Sequence, residues 1–371
     1  MEDVVVIGSG KIGSTMARLL ADTGDYNVTV VDRSAEQLAE IQTGSALSTA
    51  NLDIADEAAL AAQLSGKFAV LSAAPFLLTV AIATAAAKAG VHYLDLTEDV
   101  ESTRQVKRIA KTAKTAFIPQ CGLAPGFISI VASDLAGKFD NLDSVRLRVG
   151  ALPRFPSNAL NYNFTWNTDG VINEYIQPCE AVVNGELVEV PALEEREEFS
   201  LDGATYEAFN TSGGLGTLCE TLKGKVNTLN YRTIRYPGHA AIMKALLHDL
   251  KLRDRRDVLK DILEHALPTT LQDVVIVFVT IAGRRNGRLI QETYANKIYN
   301  TQIDGRITSA IQITTASSIC SVLDLLAGGS IPAQGFIRQE DIPLDAFLQN
   351  RFGAYYRQRD TVKSHGATVA T

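Results

Sequence analysis

The apolar run Val4-Val5-Val6-Ile7 breaks into Gly8-Ser9-Gly10-Lys11-Ile12-Gly13, and a second apolar run, Asn27-Val28-Thr29-Val30-Val31, closes on Asp32. Strand, glycine-rich turn, helix, strand and acid in that order are the marks of a βαβ unit that holds a dinucleotide. The first glycine permits the tight turn, the second lets backbone N–H groups approach a pyrophosphate, and the third lets the helix pack on the strand. Gly8, Ser9, Gly10, Lys11, Ile12 and Gly13 are therefore expected to line the nucleotide site. Asp32 stands at the distance, about 20 residues past the motif, where an acid accepts hydrogen bonds from the adenosine ribose. Its charge repels a 2′-phosphate, so NAD is favoured over NADP, although the neighbouring Arg33 is a residue that can tolerate such a phosphate.

The same unit recurs. Apolar strands at 3–7, 27–31, 46–49, 68–72, 93–96 and 115–119 alternate with helical patterns at 11–23, 35–43, 56–64, 77–89 and 99–113, which predicts a doubly wound parallel sheet of the Rossmann type. Ligands of such sheets bind beyond the carboxyl ends of the strands. Those ends carry Asp53, Ala73-Ala74-Pro75-Phe76, Asp95-Leu96-Thr97-Glu98 and Gln120-Cys121-Gly122, and of this region Asp53, Ile54, Ala73, Ala74, Pro75, Leu96 and Gly122 join the expected nucleotide contacts.

From Ser144 the texture changes to alternating strands, among them 145–149, 179–183 and 274–279, separated by turn signals such as Asn184-Gly185 and Asp202-Gly203. This predicts an α+β domain with a mixed, largely antiparallel sheet, one face covered by helices near 237–250 and 255–266. An apolar helix at 309–327 suits packing back on the first domain. The expected division is 1–122 with about 308–356 as a discontinuous nucleotide domain, 123–307 as the substrate domain, and 357–371 as a polar, disordered tail.

At 371 residues the chain suits two domains, and a net charge of -7 argues against nucleic acid or an anionic membrane as partner. Residues 68–87 carry no charge, yet Pro75 divides them into a strand and an alanine-rich helix rather than a membrane span. With the first strand starting at residue 3, no leader is expected and the cytoplasm is the expected location. Cys121, Cys179, Cys219 and Cys320 are scattered and unaccompanied by clustered histidines, so no metal site is expected.

Cys121-Gly122-Leu123-Ala124-Pro125-Gly126 and Thr233-Ile234-Arg235-Tyr236-Pro237-Gly238-His239, with Ala73-Ala74-Pro75, Tyr93-Leu94-Asp95, Thr211-Ser212-Gly213-Gly214 and Thr314-Thr315-Ala316, resemble the saccharopine dehydrogenase family, including its lysine 6-dehydrogenase-like branch. The resemblance implies a pyridine-nucleotide enzyme that oxidises a C–N bond of an amino acid or opine to an imine that water hydrolyses. For saccharopine in lysine catabolism the products are glutamate and 2-aminoadipate 6-semialdehyde; lysine 6-dehydrogenase and other opine or carboxynorspermidine-type dehydrogenases are the alternatives. It also implies a homodimer.

Within that resemblance Arg235 is the expected ligand of a substrate carboxylate, since a guanidinium grips one through two parallel hydrogen bonds. Trp166, Asn173, Glu174, Thr211 and Gly213 are further expected substrate contacts: amides for the amino-acid ends, Glu174 for an ammonium, and the glycine-rich loop's N–H groups for a carboxylate. Asp95, Cys121, His239 and Tyr93 are the candidate catalytic groups. Each also has a plain structural reading: a helix cap, a small buried hydrophobe, a cap after a Pro-Gly turn and a core tyrosine. Many saccharopine-forming relatives carry Asp where this chain has Ala124, so a carboxylate suspected in acid–base work is missing: either Asp95 or His239 takes over the proton transfer, or the chemistry differs.

Overall fold

A computed structural model describes residues 1–165, 167–303 and 305–357. The first unit runs β1 (Glu2–Ile7), α1 (Lys11–Ala21), β2 (Tyr26–Asp32), α2 (Ala35–Ala39), β3 (Leu47–Asn51), α3 (Glu57–Leu64), β4 (Ala69–Ser72), α4 (Thr79–Ala89), β5 (His92–Asp95), α5 (Val100–Ala110) and β6 (Ala116–Ile118). The second continues as α6 (Phe127–Ala136), β7 (Asn141–Pro153), α7 (Thr168–Ile176), β8 (Cys179–Val183), β9 (Glu186–Val190), β10 (Glu197–Leu201), β11 (Ala204–Asn210), α8 (Leu218–Leu222) and β12 (Val226–Arg235). After these come α9 (His239–Lys244), α10 (Arg256–Ala266), β13 (Asp273–Arg285), β14 (Arg288–Tyr299), the short pair β15 (Thr301–Ile303) and β16 (Arg306–Thr308), α11 (Ala310–Ala327), β17 (Gly335–Phe336) and α12 (Leu344–Gln349).

The first sheet has the order β17-β6-β5-β4-β1-β2-β3, with every neighbouring pair parallel. Val4, Val5 and Val6 are wholly buried because helices cover both faces, which is why β1 is a continuous apolar run instead of an alternating one. The order reverses between β1 and β4, and the carboxyl ends of those strands open the crevice where such sheets take ligands.

The second sheet runs β10-β11-β12-β7-β13-β14, with β8 and β9 branching from β12; β12 pairs parallel with β7, and β13 pairs antiparallel with both β7 and β14. Its tight hairpins turn on residues that tolerate positive φ: Asn184-Gly185 (53° and 81°), Asp202-Gly203 (51° and 78°) and Asn286-Gly287 (51° and 74°).

The cover of this sheet differs from expectation. α6, with eight of its ten residues buried, and α11 pack on the β7–β13 face in one core with Val145, Leu147, Val275 and Val277. The helices near 237–250 and 255–266 instead form a separate cluster with α7, around Tyr175, Leu247, Leu259 and Leu263, that touches the sheet through Phe209. α10 is amphipathic and mostly exposed, so it cannot serve as the central cover. α11 is long and apolar enough to cross a membrane, but most of it is buried in the molecule, much of it against α1. Asp273, the first residue of β13, accepts hydrogen bonds from the Ala310 and Ile311 N–H groups (2.5 and 3.0 Å) and so anchors the start of α11 beside the sheet. β17 then adds a strand to β6 of the first sheet.

Candidate functional site

The three glycines of the turn after β1 are required for two different reasons. Gly8 has φ 102°, and a Cβ there would meet the Ala73 carbonyl at 2.9 Å; a Cβ on Gly13 would lie 1.8 Å from the Gly8 carbonyl oxygen. A Cβ on Gly10 would meet no protein atom within 4 Å, and its φ of -63° suits any residue. Packing and backbone conformation leave that glycine unexplained; space kept for a non-protein group explains it. α1 starts there without a side-chain cap or an acid in its first turn, so its leading N–H groups are left for an anion. The residues present therefore fit the diphosphate of a dinucleotide.

Asp32 accepts from the Ser9 N–H and hydroxyl (both 2.8 Å) and from the Ser34 N–H (2.9 Å). Against the raising effect of partial burial, these donors hold the carboxyl below its ordinary range, so it is ionised. Arg33 is exposed and, like Lys11, has no ion-pair partner among the described residues. Asp53 is exposed and closes an Asx turn on the Ala55 N–H at 3.0 Å, while Ile54 is buried against the β1 side of the sheet.

From the carboxyl ends of β1 and β4 a cleft of about 560 Å³ extends between the two sheets. Ile12, Ala73, Ala74, Pro75, Leu96 and Gly122 line it from the first unit, and Asn173, Glu174 and Arg235 from the second. Those nine expected residues meet in one space.

Arg235, at the last position of β12, is only 3% exposed. Its Nε donates to the Tyr175 hydroxyl at 2.9 Å, its Nη1 to the Ile234 carbonyl at 2.8 Å, and its guanidinium carbon lies 5.1 Å from the Tyr162 ring centre. Among the described residues no carboxylate lies within ion-pair distance of it. A buried guanidinium with unused donors on a cleft wall is a site for an anion. Glu174, in α7, is 9% exposed, and its carboxyl has no hydrogen-bond or ion-pair partner among the described residues. Burial first, then the charge of Glu98, pushes it up to about 8, with Arg235 opposing. Asn173 Oδ1 accepts from Arg256 Nη1 at 3.3 Å.

The four candidate catalytic groups are not brought to the cleft wall, and each is occupied inside the protein. Asp95, 1% exposed, accepts from the Tyr93 hydroxyl (2.7 Å) and the Thr97 and Gln120 N–H groups (3.0 and 2.9 Å); burial raises it to about 6 while those donors oppose. Its work is to hold the ends of β5 and β6 together, and Tyr93 is a core residue stacked on Phe117. Cys121 is fully buried, within 3.0 Å of the Ile118 carbonyl and 3.2 Å of Gln339 Nε2, and burial pushes its thiol up. His239, 1% exposed, places Nδ1 2.9 Å from the Leu160 carbonyl and Nε2 3.0 Å from the Tyr175 hydroxyl. Burial, then Arg235, draws it down to about 3, so it is neutral. The bonding pattern assigns the proton to Nδ1, with Tyr175 donating to Nε2 and accepting from Arg235. His239 thus positions Arg235 through Tyr175.

Thr211 and Gly213 also fall outside the main cleft and line a smaller neighbouring cavity with Glu180, sharing the Tyr231 wall. One of the loop's N–H groups is already taken inside the protein: the Ser212 N–H donates to the Glu174 carbonyl at 3.1 Å, and a Cβ on Gly213 would meet the Glu98 carbonyl at 3.0 Å. The loop is a strut between the segments that carry the two glutamates. Trp166 lies outside the described residues.

Glu98, Arg256, Asp169 and Thr233 line the cleft and were not among the expected contacts. Glu98 stands in the run at the carboxyl end of β5 that the sequence places near the ligand, but without an expected role of its own; Arg256 heads a helix 83 residues after its partner Asn173, and no local pattern signals that pairing.

Residues 4–118 match the saccharopine dehydrogenase NADP binding domain, and residues 122–352 the saccharopine dehydrogenase C-terminal domain. A saccharopine dehydrogenase (NADP(+), L-glutamate-forming) of Pyricularia oryzae is 23% identical over 257 residues, covering 66% of this chain and 57% of that protein. The mitochondrial alpha-aminoadipic semialdehyde synthase of Rattus norvegicus is 23% identical over 194 residues, covering 50% of this chain and 21% of that protein. The chain thus spans from about a fifth to three-fifths of the length of these curated relatives. Among solved structures, the apo saccharopine dehydrogenase (L-Glu forming) of Saccharomyces cerevisiae superposes with a TM-score of 0.80 at 17% identity, covering 94% of this chain and 97% of that one. The homospermidine synthase of Legionella pneumophila in complex with NAD gives 0.69 at 11% identity, covering 96% and 90%. At these identities the superpositions speak for the fold alone. The two family matches run through both halves of the chain and meet at the turn after β6, and on them this chain belongs to the saccharopine dehydrogenase family, oxidoreductases that act on CH–NH donors.

Proposed function

We propose that this chain is an NAD-dependent saccharopine dehydrogenase of the L-glutamate-forming kind, which oxidises the secondary amine of saccharopine to an imine that water hydrolyses to glutamate and 2-aminoadipate 6-semialdehyde. The observation that carries this reading is Arg235: a buried guanidinium that among the described residues has no carboxylate in ion-pair distance, in the same cleft as Glu174, whose carboxyl has no partner among them, the cleft beginning at the nucleotide turn. Such a site suits a substrate with a carboxylate and an amine a short span apart.

When bound, the nicotinamide supplies the hydride acceptor. The chain's own residues do the rest. Arg235, oriented by Tyr175 and His239, grips a carboxylate, and Arg256 offers a second positive charge on the same wall. Ala73, Ala74, Pro75 and Leu96 supply apolar surface that keeps bulk water from the reacting carbon.

For the nucleotide, the ionised Asp32 supports NAD, since its charge opposes a 2′-phosphate. The NADP in the names of the matched domain and of the Pyricularia relative, together with the free Arg33, supports NADP as the second reading. For the substrate, Glu98 and Glu174 in one cleft favour a second amine, which keeps lysine 6-dehydrogenase or a polyamine-forming relative as alternative. The test is nucleotide reduction followed by absorbance, with NAD and NADP each offered saccharopine, lysine and a diamine. Saccharopine with NAD is the expected pair. Turnover with lysine alone would overturn the substrate, and a preference for NADP would overturn the nucleotide.

A further inference from the structure

Among the described residues six ionisable groups line the cleft, Glu98, Asp169, Glu174, Tyr231, Arg235 and Arg256, and of its three carboxyls Glu98 and Glu174 are without an ion-pair partner. Asp169 is engaged by Lys260 at 2.6 Å, and burial pushes the Tyr231 hydroxyl far up. Asp95 and His239 lie behind the wall, and Ala124 lines the cleft where it offers no carboxyl. Of Glu98 and Glu174, Glu174 is nine-tenths buried, and its carboxyl, on the cleft wall, has no hydrogen-bond or ion-pair partner among the described residues.

The fold holds Glu98 beside it. The loop 211–214 binds the backbone of both segments, through the Ser212 N–H to the Glu174 carbonyl and through Gly213 against the Glu98 carbonyl. Around Glu174 stand Glu98 from the turn after β5, Arg235 and Tyr231 from β12, Arg256 from α10, Tyr175 next to it on α7, and Cys179 at the start of β8. Two carboxylates so placed repel, and each favours a proton on the other.

Resting on the function proposed above, we propose that Glu174 is the catalytic acid–base group, passing one proton between its carboxyl and the reacting substrate nitrogen, with Glu98 as the positioning charge that makes Glu174 a strong enough base to take it. The ionised Glu174 takes the proton of the secondary ammonium and leaves the neutral amine, from whose carbon a nicotinamide bound at the turn after β1 would accept hydride. Water adds to the resulting iminium carbon and gives up one proton to solvent. Glu174 returns its proton to the nitrogen, the C–N bond breaks with its electron pair on nitrogen, and the carbinol oxygen loses its proton as the aldehyde forms. The sum is one hydride transferred, one water consumed and one C–N bond cleaved.

Glu174→Gln and Glu98→Gln keep shape and remove charge, and retained nucleotide binding checks that each has folded. Infrared spectra of the wild type at pH 7 should contain a protonated-carboxyl band that Glu174→Gln removes and that in Glu98→Gln titrates at lower pH. With saccharopine, Glu174→Gln should lower kcat by about 10² to 10⁴-fold and flatten the rise of rate with pH, while Glu98→Gln should move that rise to lower pH. A merely structural role would leave the pH profile in place. Turnover without the band, or an unchanged pH profile in Glu174→Gln, would overturn the proposal while the function stands. The band without turnover of saccharopine, lysine or the diamine would overturn the function, and the proton transfer with it.

Discussion

A carboxyl group buried without a donor weakens the fold that holds it, and among the described residues Glu174 has none. Its pKa in the folded protein lies above its ordinary value, so its contribution to stability is fully present below the ordinary glutamate range and is lost as pH rises through about 8. Glu174→Gln is therefore expected to melt at the wild-type temperature near pH 4 and several degrees higher near pH 9, a gain on the order of a few kcal/mol. Calorimetry at the two pH values checks it, and equal melting temperatures at pH 9 would contradict it. For Arg235 the expected outcome is the reverse in kind. Arg235→Lys keeps the charge but loses the fork and the Tyr175 contact, so KM for a carboxylate substrate should rise by about 1 to 3 kcal/mol in binding while kcat changes little. Arg235 was legible in the sequence because a motif surrounds it. Glu98 was passed over because Asp95, three residues earlier, carried the same local signal, and only burial and hydrogen bonding separate a carboxylate that braces two strands from one that faces a cleft.

At the scale of elements the nucleotide turn offers a paired comparison. Gly13→Ala forces a Cβ to 1.8 Å from the Gly8 carbonyl, which must displace α1 from β1 and cost about 1 to 3 kcal/mol or more. Gly10→Ala adds a Cβ in open space at an ordinary φ, so the protein should keep its stability or gain about 0.4 to 1 kcal/mol while losing nucleotide affinity. Melting without nucleotide and fluorescence titration with it separate the two effects. Equal nucleotide affinity in Gly10→Ala would remove the turn from the binding site. Six strands of the first sheet were readable to within two residues, since each unit buries an apolar strand between helices and ends on a turn, whereas the two-residue β17, which joins β6 from the far end of the chain, was not. The cover of the second sheet was not: α6 and α10 are both helical in pattern, and which one packs on β7 and β13 depends on where the chain enters and leaves the sheet.

At the scale of the molecule, the segment after α11 is stapled to the first sheet through Asp324. It accepts from the Tyr26 hydroxyl and Asn350 (both 2.7 Å) and from Arg351 (2.6 Å), and Arg351 also reaches Asp25 at 2.6 Å. Burial tends to raise this carboxyl, but Arg351, Tyr26 and Asn350 hold it below its ordinary range. Its stabilising share is therefore present above the ordinary carboxylate pKa and lost as pH falls through its lowered value. Asp324→Ala should lower unfolding free energy at pH 7 by about 1.5 to 3 kcal/mol, with the deficit shrinking in acid. Denaturant curves at pH 7 and pH 3 test this, and a deficit independent of pH would assign the loss to packing instead.

Short-range chemistry was sufficient for the nucleotide turn, the alternation of the first sheet, the hairpin turns and the arginine of the cleft, because each depends on residues within a few positions of one another. The sequence alone thereby determined the family, the fold class and one half of the site. Tertiary structure alone decided which polar groups face the cleft: Asp95, Cys121 and His239 are consumed by hydrogen bonds to distant or buried partners, whereas Glu98 and Glu174, 76 positions apart, are brought together by a loop from a third segment. Burial and hydrogen-bond partnership set what a carboxyl or an imidazole can do, and both are properties of the assembled fold.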